Sequence, residues 1–306
     1  KKDIEEIKAQ YGGKRRTKII PHGVKEFSIE DLVPNEPTII MATRDGYIKR
    51  MPIDTFKKQA RGGKGVIGLT TKEEDVVEHL RSTNTHDNML FFTTRGRVFQ
   101  LRAYDIPVAS RTSKGQALVN FLQLAPNEKV SSILSMADMS KYEYLVMVTN
   151  KGTIKKTKLS DFQNVRRSGL IALRLKSDEM LEWVRPSSGK DNIMLITSMG
   201  QAIRFKESGV RAMGRTAAGV RGLRLKSDDT IVGMSVIQPE LARKKVLELL
   251  VISENGLGKR TLTNEYKIQG RGGSGIKTMN ITDKTGKIIN ARVINNTEEQ
   301  DLLLIS

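Results

Sequence analysis

"LVMVTNKG" occupies residues 145–152. Four apolar residues in a row, bounded by a turn signal, predict a strand buried on both faces. The closing Lys151-Gly152 pair predicts a tight two-residue hairpin turn, with the glycine taking the positive φ such turns need. The pattern returns four times, as "IIMATRDG" (39–46), "MLFFTTRG" (89–96), "IMLITSMG" (193–200) and "LLVISENG" (249–256). The hairpin glycines Gly46, Gly96, Gly152, Gly200 and Gly256 stand 50, 56, 48 and 56 residues apart. In every copy the fifth residue is Thr or Ser.

A second glycine follows 17 to 19 residues later, at Gly65, Gly115, Gly169, Gly219 and Gly275. After it the sequence predicts an alternating strand, as in "LIALRLKS" (170–177) and "VRGLRLKS" (220–227). A fourth apolar strand closes each unit: "VVEHL" (76–80), "VSSIL" (130–134), "MLEWV" (180–184), "TIVGMSV" (230–236) and "IINARVI" (288–294). Four strands per unit of about 50 residues are the period of propeller blades. A single small sheet cannot bury both of its faces, so neighbouring units must stack.

The expected architecture is therefore all-β, a propeller-like ring of about six four-stranded blades. The units fall at 37–83, 84–137, 138–188, 189–238 and 239–297. "LLLIS" (302–306) opens a truncated sixth at 298–306. The two longer spacings come from the inserts "DMSKYEY" (138–144) and "PELARKK" (239–245). Residues 1–16 read as the end of an upstream helix, with Ile4 and Ile7 one turn apart and Gly12-Gly13 to stop it. Residues 17–36 read as a linker or edge segment.

Lys and Arg number 52 against 34 Asp and Glu, a surplus of +18. Almost all of it lies after residue 36. Such a surplus favours a polyanionic partner. The absence of cysteine excludes disulfides, thiolate catalysis and sulfur-ligated zinc. No apolar run approaches the ~20 residues of a membrane helix. His22, His79 and His86 are too scattered for a metal site. "GGKG" lacks the spacing and the following helix of a nucleotide-phosphate loop. The Asn-X-Thr matches at 280–282 and 295–297 are chance without a secretory signal. Phe56, Tyr104, Phe162, Trp183 and Tyr266 read as blade packing.

The repeat allows a test that one motif does not. Three and four residues after the hairpin glycine stand Lys49-Arg50, Phe99-Gln100, Lys155-Lys156, Ile203-Arg204 and Lys259-Arg260. Unit two lacks the cation there but places Arg95, Arg97 and Arg102 around its hairpin. Four residues before the second glycine stand Arg61, Arg111, Arg215 and Arg271, with Arg166 and Arg167 in the shorter third unit. Lys64 and Lys114 directly precede that glycine. Any soluble surface carries cations, but equivalent positions on successive blades lie side by side. The expectation is an exposed basic belt along the rim, suited to a phosphate backbone rather than to base edges. Few aromatics accompany it, which argues against base stacking.

"QARGGKG" (59–65), preceded by Lys57 and Lys58, lies on the first of these loops. Its glycines let backbone N–H groups form an anion-binding concavity. The plain alternative is a glycine-rich turn. The segment Gln59-Ala60-Arg61-Gly62-Gly63-Lys64-Gly65 resembles the Gln-Arg-Arg-Gly-Gly-Lys/Arg-Gly signature box of the DNA gyrase A family, with Ala60 in place of the first arginine. "KEEDVVEHLRSTNTHDNMLFFTTRGRV" and "IRFKESGVRAMGRTAAGVRG" resemble that family too, and the likeness covers residues 17–306 and the helical tail.

The resemblance implies a β-pinwheel, in which neighbouring blades exchange a strand and duplex DNA wraps the rim with positive, right-handed sense. In the family this lets an ATP-dependent type IIA topoisomerase introduce negative supercoils. The active-site tyrosine, the ATP and the Mg2+ belong to other domains, so no cofactor is expected here. The implied partners are duplex DNA, the gyrase B subunit in a heterotetramer, and the N-terminal cleavage core of the same subunit. The implied location is the bacterial cytoplasm, at the nucleoid. Two alternatives stand beside it: the equivalent domain of topoisomerase IV, and a basic propeller that binds an acidic protein.

Overall fold

The computed structural model describes residues 1–13, 17, 29–53, 75–110 and 112–298. The chain divides into two compact units, Lys1–Pro34 and Asn35–Ser306. The first holds helix α1 (Lys2–Tyr11) and the single turn α2 (Ile29–Leu32). No residue of α1 is buried, and Ile4, Ile7 and Tyr11 are exposed. The helix ends at Gly12, whose N–H returns to the Lys8 carbonyl.

The second unit is a ring of five blades. Each is built on an antiparallel hairpin whose first strand also pairs with the inner strand. Blade one is β1 (Pro37–Thr43), β2 (Tyr47–Pro52) and inner strand β3 (Val77–Asn84). Blade two has β4 (Asn88–Thr93), β5 (Arg97–Arg102) and, beyond the two-residue β6 (Gln116–Ala117), inner strand β7 (Val130–Ser135). Blade three has β8 (Tyr144–Thr149), β9 (Thr153–Lys158), the short β10 (Leu170–Ile171) and inner β11 (Leu181–Ser187). Blade four has β12 (Asn192–Thr197), β13 (Gln201–Lys206), the short β14 (Val220–Arg221) and inner β15 (Ile231–Ile237). Helix α3 (Pro239–Arg243) fills the insert before β16 (Leu247–Ser253), β17 (Gly258–Leu262), the short β18 (Ile268–Gln269) and β19 (Ile276–Lys277), and inner β20 (Ile288–Asn295).

The structure explains the recurring hydroxyl. In the first hairpin the Gly46 N–H reaches the Thr43 carbonyl at 3.0 Å, and the Tyr47 N–H reaches the Thr43 hydroxyl oxygen at 3.1 Å. Thr93, Thr149 and Thr197 accept the corresponding bonds from Arg97, Thr153 and Gln201. Ala42 pairs with Ile48, so the loop holds three residues beyond Thr43 and ends in the positive-φ glycine. This is a three-residue turn with its glycine at the bulge position, not the two-residue turn the dipeptides suggest.

The short strands do not pair within their own unit. β6 pairs with β2 of blade one, β10 with β5 of blade two, β14 with β9 of blade three and β19 with β13 of blade four. Blades one to four are thus each completed by the next unit, the exchange the resemblance implies. The second glycine makes this possible. Gly219 has φ +81, and a Cβ there would lie 2.7 Å from the Ile154 carbonyl of the neighbouring blade; Gly275 stands likewise 2.6 Å from that of Ala202. Strand character stops after two residues, so "LRLKS" is not a strand. It is a bend ending in a turn at Asp178 and Asp228, both with positive φ.

Four separate cores join successive blades. Phe91 faces the blade one cluster, while Leu90 and Phe92 face that of blade three. Val146 and Val148 on β8, and Met194 and Ile196 on β12, divide in the same way. This is why the first strand is apolar at four successive positions. Phe162 and Tyr266 are buried in these cores. Blade five, β17-β16-β20, has three strands among the described residues. The described residues form five blades where six are expected, and residues 299–306 lie outside them.

Candidate nucleic-acid interface

The cations after the hairpins do not form an outer belt. Lys155 is fully buried, Lys49 is 2% exposed, and Lys156 and Arg204 are each 6% exposed. The reason is the pleat: the third residue after the glycine faces the segment that the next unit lays over the hairpin. There Lys49 donates to the carbonyls of Ser110 and Ser113, at 3.2 and 2.7 Å. Lys155 donates to those of Ala172, at 2.7 Å, and Arg215. Burial pulls the Lys155 ammonium down to a pKa of about 8 and lowers that of Lys49.

The fourth residue also turns inward. Lys156 lies 3.4 Å from the buried Glu207 carboxylate, and Arg204 donates to the Thr263 carbonyl at 2.9 Å. Arg50 is half-buried, with its Nε–H on the Ile106 carbonyl at 3.1 Å. Lys49, Lys155, Lys156 and Arg204, and in large part Arg50, are therefore structural cations. Their expected place on the rim is corrected. Only on blade five, where no strand covers β17 among the described residues, are Lys259 and Arg260 exposed.

The loop arginines fare differently. Arg166, Arg167 and Arg271 are exposed, and Arg215 is half-buried. Arg271 donates to the carbonyls of Gly209 and Arg221, which holds it along the seam between blades. Around the second hairpin, Arg95 is exposed and reaches the Pro126 carbonyl at 2.7 Å. Arg97 pairs with Glu128 at 3.0 Å and lies over the Phe99 ring. Arg102 donates to the His86 carbonyl, and the Lys114 ammonium sits 3.5 Å from the Tyr47 ring centroid. Lys57, Lys58, Arg61, Lys64 and Arg111, with the whole box 59–65, lie outside the described residues.

The structure adds cations that the sequence reading treats as part of a strand. Arg174 and Lys176, and at equivalent positions Arg224 and Lys226, are exposed, as is Arg221. Their backbone is welded to the next loop: Arg174 N–H to the Ala217 carbonyl at 3.2 Å, Arg224 N–H to that of Gly273 at 2.9 Å, and Gly272 N–H to that of Gly222 at 2.8 Å. The loops bearing Arg174, Arg215, Arg224 and Arg271 thus form one hydrogen-bonded edge across blades two to four. Lys151, Lys176, Arg221 and Arg224 line a shallow groove on it, with Glu179 the acid among them. The signal was present in the exact repeat "LRLKS", whose Arg and Lys recur while the strand between them does not.

This edge offers guanidinium and ammonium groups on rigid backbone. It can neutralise regularly spaced anions without a recognition helix. Among the described residues no group of three or more His, Asp or Glu side chains is placed to hold a metal ion. No helix there is long and apolar enough to cross a membrane.

A family model described as the DNA gyrase C-terminal domain, beta-propeller, matches residues 37–84, 87–135, 143–188, 191–238 and 247–295. These are the five blades. The A subunit of DNA gyrase from Staphylococcus epidermidis strain ATCC 12228 is 41% identical over 305 residues, 99% of this chain and 34% of the relative. The same protein of Staphylococcus aureus strain NCTC 8325 matches to the same extent. The chain thus spans about a third of the length of these relatives. Among solved structures, the C-terminal domain of a DNA topoisomerase IV superposes with a TM-score of 0.69 at 27% identity, over 86% of this chain and 79% of that one. A DNA gyrase A C-terminal domain gives 0.66 at 25%, over 85% and 83%. With five blades matched in register and an exchanged strand at four seams, the chain belongs to the DNA gyrase C-terminal domain family of β-propellers.

Proposed function

We propose that this chain binds duplex DNA through its phosphates, nearly blind to sequence, and wraps it around the ring with positive sense. The observation that carries the reading is the run of exposed arginines and lysines, Arg174, Lys176, Arg221, Arg224, Lys226 and Arg271, with Arg215 half-buried beside them. It recurs from blade to blade on loops tied to one another by backbone hydrogen bonds. Wrapping needs contacts spread along a curved path, because bending ~20–30 base pairs by 40–90° costs of order 1–6 kcal/mol.

In this reading the chain serves a gyrase-type, ATP-dependent topoisomerase that adds negative supercoils. ATP, Mg2+ and the cleaving tyrosine are supplied by other domains. Its partners are a gyrase B subunit, in a heterotetramer, and the cleavage core of its own polypeptide, in the bacterial cytoplasm at the nucleoid. The 41% identity to gyrase A subunits and the near-complete box favour gyrase over topoisomerase IV. Binding of a duplex at rising salt tests the electrostatic core of the proposal. With ~6–10 phosphates neutralised, affinity falls about 10³–10⁵-fold between 50 and 200 mM. A flat response contradicts it.

A further inference from the structure

The inner strands carry a second set of cations that the outer edge does not use. Arg81 on β3 pairs in register with Ile40, Arg185 on β11 with Val146, and Arg292 on β20 with Leu250. Ile40, Val146 and Leu250 are the second residues of the three equivalent apolar runs. The arginines therefore stand at one level of the ring, on blades one, three and five. Blades two and four present Leu134 and Ser235 at the same level, opposite Leu90 and Met194. All three arginines line a single open cavity of about 620 Å³ between the inner strands.

Among the described residues no carboxylate lies within ion-pair distance of any of the three. Arg81 donates to the carbonyls of Ile133 and Leu80, and Arg185 only to that of Val184. The Arg292 guanidinium makes no hydrogen bond to a described residue, and only its backbone is engaged, in the β16–β20 ladder. A guanidinium has five N–H donors, so most of those on the half-buried Arg185 and the exposed Arg292 are not used by the described residues and stay open to water or to an anion. Burial and the other arginines bring Arg185 down to a pKa of about 10, which still leaves it charged at neutral pH.

The acids of the cavity sit at another level. Glu78 and Glu182 are the second residues of their inner strands, three positions before the arginines. That is about 10 Å along a strand rising ~3.3 Å per residue. Burial and Glu78 raise Glu182 to about 7, which halves its charge near neutrality. His79, in the same cavity, is held neutral by burial. The arginine level therefore remains net positive.

The geometry points to a binding site for a small phosphate anion, inorganic phosphate or pyrophosphate, held by Arg81, Arg185 and Arg292 in the central cavity. Planar guanidinium forks suit phosphate oxygens and can bind them in pairs. Three guanidiniums from three blades, lining one cavity and close enough to feel one another's charge, match an anion with several oxygens better than a single carboxylate. The bound anion would tie blade one to blades three and five, which share no apolar core with it among the described residues. Its binding adds stability by mass action.

The test is calorimetric titration of pyrophosphate into the 306-residue chain, with thermal melts, at constant ionic strength set by chloride. The expected result is saturable binding and a melting temperature that rises with pyrophosphate. Arg292→Gln, at an exposed position that no core needs, weakens binding at least tenfold, and Arg185→Gln does the same. Arg174→Gln with Arg224→Gln, on the outer edge, leaves it unchanged. The proposal is overturned if the wild-type chain shows no saturable binding. It is overturned equally if Arg292→Gln binds as wild type does, or if the outer-edge pair abolishes binding, because the anion then sits on the DNA-binding edge.

Discussion

The buried ammonium of Lys155 donates a hydrogen bond to the main-chain carbonyl of Arg215, so a cation sealed inside blade three holds the loop that presents an arginine of the next unit. A second bond, 2.7 Å to the Ala172 carbonyl, ties the same group to its own unit's exchanged segment. Lys49 likewise holds the next unit's loop against blade one, with both of these bonds made to that unit, at Ser110 and Ser113. Charge that a linear reading places on the rim is instead what positions the rim.

Lys155→Ala should therefore act on stability first. It leaves a cavity and two carbonyls without donors, and unsatisfied buried groups cost about 1–3 kcal/mol each. The expected loss is about 2–5 kcal/mol, read from the urea midpoint. Lys259→Ala, at the equivalent but exposed position, should stay within ~0.5 kcal/mol. Equal effects at the two sites would contradict the assignment.

The exposed edge should behave in the opposite way. Arg174→Ala with Arg224→Ala removes two cations whose side chains pack in no core. DNA affinity should fall, and the salt slope should drop by about one for each phosphate no longer neutralised, with melting unchanged. Fluorescence anisotropy across a salt series reads both quantities. An unaltered slope would remove these residues from the interface.

How far the sequence could be read depends on what repeats. The hairpins were legible because Thr43, Thr93, Thr149 and Thr197 each bond the strand that follows the glycine, and that function admits few residues. The inward turn of Lys155 is masked by its charge, although its equivalents Phe99 and Ile203 are apolar and buried and mark the position as core. Strand exchange left little trace, because the exchanged strands are two residues long. The cations of "LRLKS" are hidden in the sequence because alternation of Leu with Arg and Lys fits a strand as well as a bend.

The exchange makes a specific demand on glycine. Gly46 has φ +85 with open space around its missing Cβ, whereas Gly219 has φ +81 with the Ile154 carbonyl 2.7 Å from where a Cβ would stand. Gly46→Ala should cost about 1 kcal/mol for backbone strain alone. Gly219→Ala carries that strain plus a backbone clash at the seam and should cost at least twice as much in chemical denaturation. Matching losses would show that the seam is looser than described.

Glu182→Gln separates charge from shape in the central cavity. Burial, with Glu78 nearby, raises the Glu182 pKa from 4.5 to about 7. A raised folded-state pKa contributes stability that is present below about 4.5 and lost as pH rises through about 7. The glutamine variant carries no charge to bury. It should match the wild type near pH 4.5 and exceed it by about 1–3 kcal/mol at pH 8. Urea unfolding at the two pH values checks this, and a difference that does not grow with pH would contradict it.

The central claim is that the ring bends DNA along a path of one hand. Nicked circular DNA ligated with the chain bound, then deproteinised and resolved on a gel with an intercalator, reports the linking number trapped by the protein. Positive supercoils that increase with protein, and that fall when Arg174 and Arg224 are both changed to Ala, are the predicted result. Circles that remain relaxed at saturating protein, or that become negatively supercoiled, would contradict the account.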